Sequence, residues 1–374
     1  MRGFWRIFQK LRLMGEWKEY QIGDLMTLEY GKGLKGYREI AEGVPVFGTN
    51  GQIGYTSEAL YDKPSVVIGR KGAYREVHYA SEPFFVIDTA FYIIETTELT
   101  NTKFLYYWFK NVDINKMNSG SAIPSTSRDA VYELPIELPP LKKQLEIAEI
   151  LSSLDDKIDL LRRQNATLEG LAGALFREWF VENPEEEWVE LSLSDAGNFL
   201  NGLACQKYPP ENEIDRLPVL KIRELKNGIT DRSDYSSTSV PHKYYVELGD
   251  VIFSWSASLL VKIWDGEDCI LNQHLFKVTS MEFPDWYMFF WCKEHLRRFQ
   301  SISRSQATTM GHIKRKDLKE ALVLVPNSIR LNEMDTQMKP IFDRIKSNYR
   351  ALNTMKLLSG NLLTNLFIKD NFLK

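Results

Sequence analysis

The sequence predicts an α+β protein: two homologous mixed α/β domains separated by a long antiparallel two-helix coiled coil. Three observations carry that prediction. The chain is written twice, each copy ends in a heptad-patterned stretch, and the two stretches carry opposite net charge. A repeat period near 170 residues is too long for a solenoid and means two domains of one design.

The repeat is legible residue by residue. Trp17-Lys18-Glu19 opens a segment carrying Asp24 and Gly31, and Trp188-Val189-Glu190 opens one carrying Asp195 and Gly202 at the same spacings. Pro45-Val46 answers Pro218-Val219, and Val66-Val67-Ile68-Gly69 answers Val251-Ile252-Phe253-Ser254. Tyr106 to Lys110 answers Phe289 to Lys293. Ser65–Ile68, Phe84–Ile87 and Phe91–Ile94 in the first copy, and Asp250–Phe253 and Leu275–Val278 in the second, read as strands. Phe104–Phe109 and Trp286–Trp291 read as core-facing helices, since their aromatics recur at helical spacing. Each copy closes on a Pro-terminated apolar strand, Leu134 to Pro140 and Ala321 to Pro326.

A long helix follows each strand. Ile147, Leu151, Leu154, Ile158, Leu161, Asn165, Leu168, Ala172, Leu175 and Trp179 alternate spacings of four and three without a break. Met334, Met338, Ile341, Ile345, Asn348, Leu352, Met355, Ser359, Leu362 and Leu366 do the same. Such a rhythm is a coiled-coil seam. Each seam would run about 50 Å at 1.5 Å per residue. Residues 141–187 hold six Lys/Arg against eleven Asp/Glu, and residues 326–374 hold eight against four. Opposite charge and equal length point to an intramolecular pair, and an antiparallel one keeps the domains apart at its two ends. Modules on one face of a duplex lie roughly 34–36 Å apart or a multiple of that, so a rod of this length suits a ruler. Asn165 and Asn348 are single polar residues within the seams, where such residues can fix register at some cost in stability.

The bulk numbers exclude several classes. With 374 residues, 44% hydrophobic and 12% aromatic, the chain has room for two real cores. No apolar run reaches the length of a membrane span, and the basic, aromatic stretch Met1 to Leu13 is not a signal-peptide core. Cys205, Cys269 and Cys292 form no CxxC pair, and His78, His242, His274, His295 and His312 are scattered, so neither a disulfide framework nor a metal site is expected, and a cytoplasmic protein is. Gly31-Lys32-Gly33-Leu34-Lys35-Gly36 matches GxGxxG but runs into a segment that cannot sustain a helix. No phosphate-binding GxxxxGK[ST] loop, HExxH or GxSxG occurs. No catalytic residue and no cofactor are expected.

The interesting groups lie in the loops. Candidate DNA-binding residues in the first copy are Thr49, Asn50, Gln52, Arg70, Lys71, Arg75, Ser119 and Ser121; in the second they are Lys221, Arg223, Trp255, Gln273, Arg304, Gln306 and Thr309. Asn, Gln and Arg suit base edges, and Lys, Ser, Thr and backbone amides suit phosphates. A polar, Gly-rich loop is more often only a turn. Here the loops recur at matching places while their residues differ, which is what two readers of two sequences need. A net charge of −3 is awkward for such a protein, so phosphate contacts must be local or shared with a partner.

The stretch Leu138-Pro139-Pro140-Leu141-Lys142-Lys143-Gln144-Leu145-Glu146-Ile147-Ala148-Glu149-Ile150-Leu151, with Asp155-Asp156-Lys157-Ile158, Asn165, Leu168-Glu169 and Leu175 to Val181, strongly resembles the specificity subunit of type I restriction–modification enzymes. Pro45 to Gly51, Gly120-Ser121-Ala122 and the opening of each repeat look like the same family. The resemblance covers nearly the whole chain from about Glu16. It implies two target recognition domains, each reading half of a bipartite double-stranded DNA sequence, with helices as spacers. It also implies adenine-methyltransferase and ATP-dependent restriction subunits as partners that supply all catalysis. The organisation expected is a leader (1–15), a first recognition domain (16–140), a spacer helix (141–182), a second recognition domain (183–326) and a second spacer helix (327–374). The second helix opens Pro326-Asn327-Ser328-Ile329 and lacks the signature of the first. A protein-binding coiled-coil scaffold and a nuclease of unrecognised fold are the alternative readings.

Overall fold

A computed structural model describes residues 17–117, 124–230, 232–305 and 311–367. The chain divides into two compact units. One takes the described residues up to Asp156 together with the segment from Leu357; the other is Lys157–Lys356. Both are mixed α/β.

In the first unit the strand Lys18–Gln21 pairs antiparallel with Pro135–Leu138, so the start of the domain is stitched to its end. A four-stranded sheet follows in the order Met26–Tyr30, Ala90–Thr96, Ser65–Gly69, Val77–Ala80. Beside it a three-stranded sheet runs Gly51–Thr56, Val44–Gly48, Phe85–Val86, the last pair parallel with Val46 opposite Phe85. Ser65–Gly69 is buried along its whole length. That is why its sequence is a continuous apolar run rather than an alternating one.

The second unit repeats this plan. Val189–Ser192 pairs with Leu322–Val325. Asn198–Asn201, Leu275–Thr279, Val251–Ser254 and Leu260–Ile263 form the four-stranded sheet. Arg216–Leu220 and Cys269–Leu271 are the parallel pair, flanked by Tyr235–Ser237 and by an added short strand, Tyr245–Val246. The matched glycines now have a reason. A Cβ on Gly31 would collide with the backbone of Val86 and Ile87, and one on Gly202 with that of Leu271 and Asn272. At both places the chain crosses against the end of the parallel strand and bonds it, Lys32 N to Val86 O and Leu203 N to Leu271 O, each at 2.9 Å.

The aromatic helices are core, as their spacing predicts. Thr102–Lys110 buries Phe104, Leu105, Tyr107, Trp108 and Phe109, and is capped by the Asn101 side chain accepting from Phe104 N. Asp285–Glu294 buries every residue from Trp286 to Cys292.

Each domain leads into a long helix, Leu141–Arg177 (continued by a π turn, Glu178–Glu182) and Ser328–Phe367, and each helix contributes to both units. Of the first seam, Ile147, Leu151, Leu154, Ile158, Leu161, Asn165 and Ala172 are buried. Of the second, Met334, Met338, Ile345, Asn348, Leu352, Ser359, Leu362 and Leu366 are; Leu168, Ile341 and Met355 are half-buried. Pro340 sits inside the second helix on its exposed face, where water can replace the backbone bond it forfeits. Within the second unit Asn348 Nδ2 donates to Asn165 Oδ1 at 2.8 Å, and Arg330 Nε donates to Glu185 Oε1 at 3.0 Å. The two contacts run in opposite order along the two stretches. Among the described residues no helix is long and apolar enough to cross a membrane.

Residues off the seam tie each unit together. In the first, Tyr107 Oη donates to Asp155 Oδ2 at 3.0 Å and Phe367 packs edge-on against Phe104. In the second, Phe342 packs on Phe289 and Phe290, Phe176 stacks on Phe290, and Phe180 packs edge-on against Tyr287.

Candidate nucleic-acid interface

In each domain the strand ends bring the same three loops to one edge. In the first, Val44–Gly48 runs into Thr49-Asn50, Ser65–Gly69 into Arg70-Lys71, and Phe85–Val86 into Ile87-Asp88-Thr89. Thr49 is the knot: its hydroxyl donates to Lys71 O at 2.8 Å and Thr89 O at 2.9 Å, and its carbonyl accepts from Glu76 N. The segment after the second loop is bound to residues 124–126 by Gly72 N to Pro124 O, Thr126 N to Arg70 O and the Lys71–Ser125 bridge.

The second edge is built on the same bonds. Ala257 N donates to Gly311 O, Ile313 N to Trp255 O, and Ser256 bridges to His312. Gly72, at a φ of 118°, is answered by Ala257 at a φ of 55°, so both copies place a left-handed residue at this corner. Asn272 N bonds Leu220 O at 3.2 Å, which sets Lys221 beside Asn272-Gln273.

On this common frame the side chains differ. In the first domain the guanidiniums of Arg70 and Arg128 lie over the Tyr30 ring at 4.9 and 4.6 Å. Arg70 also donates to Asp88 O, and Lys71 pairs with the Asp88 carboxylate at 3.1 Å. In the second domain the residue answering Arg70 is Trp255. Its Nε1 donates at 3.0 Å to Oδ1 of Asn201, which answers Tyr30, and its ring packs on Phe276 near His274 and His312. His274 Nδ1 lies 3.3 Å from Ser256 Oγ, and Gln273 Nε2 lies 3.5 Å from His274 Nε2.

The remaining sequence candidates fall as follows. Asn50 is exposed at the Thr49 corner, its amide nitrogen set toward the carbonyls of Tyr74 and Thr49, and Gln52 is exposed on the next strand. Arg75 is only 3% exposed. Its guanidinium donates to Met117 O, Thr126 Oγ1 and Asn115 O, so it is spent on holding the loop wall, and burial pulls its pKa down. Lys221 pairs with Asp234, which the ammonium holds below the usual carboxylate range, and Arg223 pairs with the buried Glu224. Arg304 is exposed on the last turn of the helix Leu296–Ser305. Ser119, Ser121, Gln306, Thr309 and the leader 1–15 lie outside the described residues.

Sequence reading missed Tyr30, Arg128, Asn201 and His312. Tyr30 and Asn201 had a usable signal: each precedes the glycine that marks the repeat, and the two differ. Arg128 and His312 come to the edge through chain contacts that no local pattern announces. Among the described residues no group of three His, Cys, Asp or Glu is placed to hold a metal ion.

Comparison with known proteins agrees with this doubled design. A family model described as the type I restriction modification DNA specificity domain matches twice, at residues 14–170 and 185–356. The chain is similar to the type I restriction enzyme MjaIX specificity subunit of Methanocaldococcus jannaschii, 22% identical over 372 residues that cover 92% of this chain and 84% of that one. It is 19% identical to the EcoDI specificity subunit of Escherichia coli, covering 96% and 88% of the two chains. A shorter stretch of 121 residues, 30% of this chain and 26% of the other, is 34% identical to the HindI specificity subunit of Haemophilus influenzae. In fold the chain resembles the crystal structure of the type I restriction–modification S subunit from M. genitalium, with a TM-score of 0.64 at 17% identity, over 95% of this chain and 97% of that one.

Proposed function

The chain belongs to the type I restriction–modification DNA specificity family, and from that premise we propose that each domain reads one half of a bipartite DNA target through the loop edge at its strand ends. The observation that carries the reading is the pair of edges. One hydrogen-bonded frame is built twice, and matched positions on it hold Arg70 and Tyr30 in one copy and Trp255 and Asn201 in the other, with Asn201 exposed and the other three half-buried. Arg70, Lys71 and Arg128 supply cationic donors suited to guanine edges and phosphates. Trp255, Gln273 and His274 supply a ring and hydrogen-bonding groups of a different pattern. Arg75 and Thr49 position the first edge and do not read it.

The long helices are the spacer. They pair antiparallel along their seams, and their length sets the gap between the two half-sequences; Asn165–Asn348 and Glu185–Arg330 support that pairing. The chain itself is non-catalytic. Adenine-methylating subunits dock on the helices and perform the modification, and ATP-dependent restriction subunits perform the cleavage. Their closure around the duplex supplies phosphate contacts that a chain of net charge −3 lacks.

The test is binding by the assembled methylating complex to duplexes randomised in one half of the target at a time. Arg70→Ala should relax selection in one half by about 1–3 kcal/mol, the worth of a good bidentate base contact, and leave the other half as in the wild type. Loss of selection in both halves together would count against separate readers. Lengthening both helices by one heptad should change the gap and leave both half-sequences intact.

A further inference from the structure

Tyr30 and Asn201 hold matched places in the two copies. Each stands opposite a buried phenylalanine on the neighbouring strand, Tyr30 opposite Phe91 and Asn201 opposite Phe276. Those phenylalanines stand in turn opposite Ile68 and Phe253, two residues before Arg70 and Trp255. Opposed residues on neighbouring strands share a face, so the same seat for residue 70 or 255 is built twice. In the first domain the Arg70 guanidinium lies 4.9 Å from the Tyr30 centroid and 5.7 Å from that of Phe91, and Tyr30 packs edge-on against Phe91 at 5.0 Å. In the second, Trp255 Nε1 donates to Asn201 Oδ1 at 3.0 Å and its ring lies 5.8 Å from that of Phe276.

The first seat holds Arg128 as well, its guanidinium 4.6 Å from the Tyr30 centroid. The helix Arg128–Tyr132 is fastened to the strand Met26–Tyr30 by Tyr132 Oη, which accepts from Leu28 N at 2.9 Å. Neither guanidinium is used up. Arg70 spends Nη1 on Asp88 O at 3.2 Å, and Arg128 spends Nη1 on Leu28 O at 3.4 Å. Among the described residues the Nε–Nη2 edge of each has no hydrogen-bond partner. That edge is the fork that meets a guanine or a phosphate with two parallel bonds. Arg75 gives Nη1 and Nη2 to the loop wall, and Arg223 gives Nε and Nη2 to Glu224.

We propose that Tyr30 and Asn201 are positioning residues for DNA reading: each fixes the reading side chain of its own domain. Tyr30 does so by cation–π contact with Arg70 and Arg128, and Asn201 by its bond to the Trp255 indole. The inference rests on the reading of the loop edges given above. An arginine loses rotamer freedom when it binds, and a ring that already fixes the guanidinium removes part of that loss. The ring itself selects no base; it makes the selection by the forks sharper.

The experiment uses the assembled methylating complex and duplexes randomised in one half at a time, with discrimination read as the ratio of preferred to substituted sequences retained. Tyr30→Leu should lower discrimination in the first half alone by about fivefold to thirtyfold, the worth of two cation–π contacts, and Tyr30→Phe, which keeps the ring face, should stay within about twofold of the wild type. Added to Arg70→Ala with Arg128→Ala, Tyr30→Leu should change discrimination by less than about twofold, since nothing remains for it to hold. A Tyr30 that only packed the core would weaken binding to all sequences alike, with or without the arginines. Asn201→Leu should relax the second half alone by about twofold to tenfold, the worth of one neutral hydrogen bond, and add nothing to Trp255→Phe, whose ring has no N–H. If Arg70→Ala relaxes the first half while Tyr30→Leu leaves it as in the wild type, the inference is overturned and the reading stands. If Arg70→Ala relaxes neither half, both fall together. If Asn201→Leu still relaxes the second half beside Trp255→Phe, Asn201 reads DNA itself and the inference is overturned there. Should Tyr30→Leu fail to fold, the Asn201 variants, at an exposed residue, decide alone.

Discussion

The two joints between an aromatic helix and the long helix that follows its domain are the same joint made with different chemistry. At the first, Gln144 is fully buried and answers three backbone groups: its Oε1 accepts from Asn101 N, and its Nε2 donates to Leu99 O and Pro139 O, all at 2.8 Å. One turn further into the aromatic helix, Tyr107 bonds Asp155. At the second joint Leu331 stands where Gln144 does, and the helix cap answering Asn101 is Pro284, which has no N–H to satisfy. Phe290 and Phe342 stand where Tyr107 and Asp155 do, packed edge-on at 5.9 Å. Each change is matched by a change in its partner. A directional polar latch and an apolar one hold the same frame, and mixing them half-way leaves a buried group unserved.

The comparison can be broken most severely on its apolar side. Phe342→Ala opens a cavity against Phe289 and Phe290 and should cost about 3–5 kcal/mol, read as a fall in denaturant midpoint with the slope unchanged. Gln144→Leu, which copies the second joint into the first, should cost about 2–4 kcal/mol because it strands one buried N–H and two carbonyls. Asn101→Pro removes that N–H and the cap together. The double variant Asn101→Pro with Gln144→Leu should therefore lose less than the sum of the singles; strict additivity would mean the latch is not one unit. Tyr107→Phe should cost about 1 kcal/mol, the net worth of one hydrogen bond, whereas Phe290→Tyr should gain nothing, since Phe342 offers no acceptor.

These latches were not legible in the sequence, and the reason is physical. The repeat, the aromatic helices and both seams rest on local periodicity, which a sequence displays directly. Gln144 looked like part of a helix signature, but two of the three groups it serves, Asn101 N and Leu99 O, lie more than forty residues back. Phe176, Phe342 and Tyr349 fall off the four-three rhythm, and only a packed partner explains their burial. Arg75 read as a loop cation in a Gly-rich turn; its neighbours Asn115 and Thr126 come from a distant segment. The strand Phe85–Val86 is legible in the apolar run Phe84–Ile87, but its parallel pairing with Val46-Phe47, which brings Asp88 to Lys71, is not. What decides a site is contact across sequence distance.

The smallest effect expected is with pH, once in each domain. Burial pushes His78 and His295 below the ordinary value of 6.5. Unfolded, each takes up a proton near pH 6.5; folded, only at lower pH. Stability is thus present above about 6.5 and is lost as pH falls through the folded values. His295→Gln, which keeps a donor toward Leu322 O, should flatten the fall in melting temperature between pH 7.5 and 5 for the second domain, and His78→Gln for the first.

The most direct test of two frames with two edges is a map of methylated adenines in cells carrying the chain with Arg70→Ala and Lys71→Ala, set beside the map for Trp255→Ala. The account predicts that each variant alters or relaxes one half of the modified sequence, a different half for each, with the other half and the gap preserved. Both variants changing the same half, or either changing both halves, would contradict it.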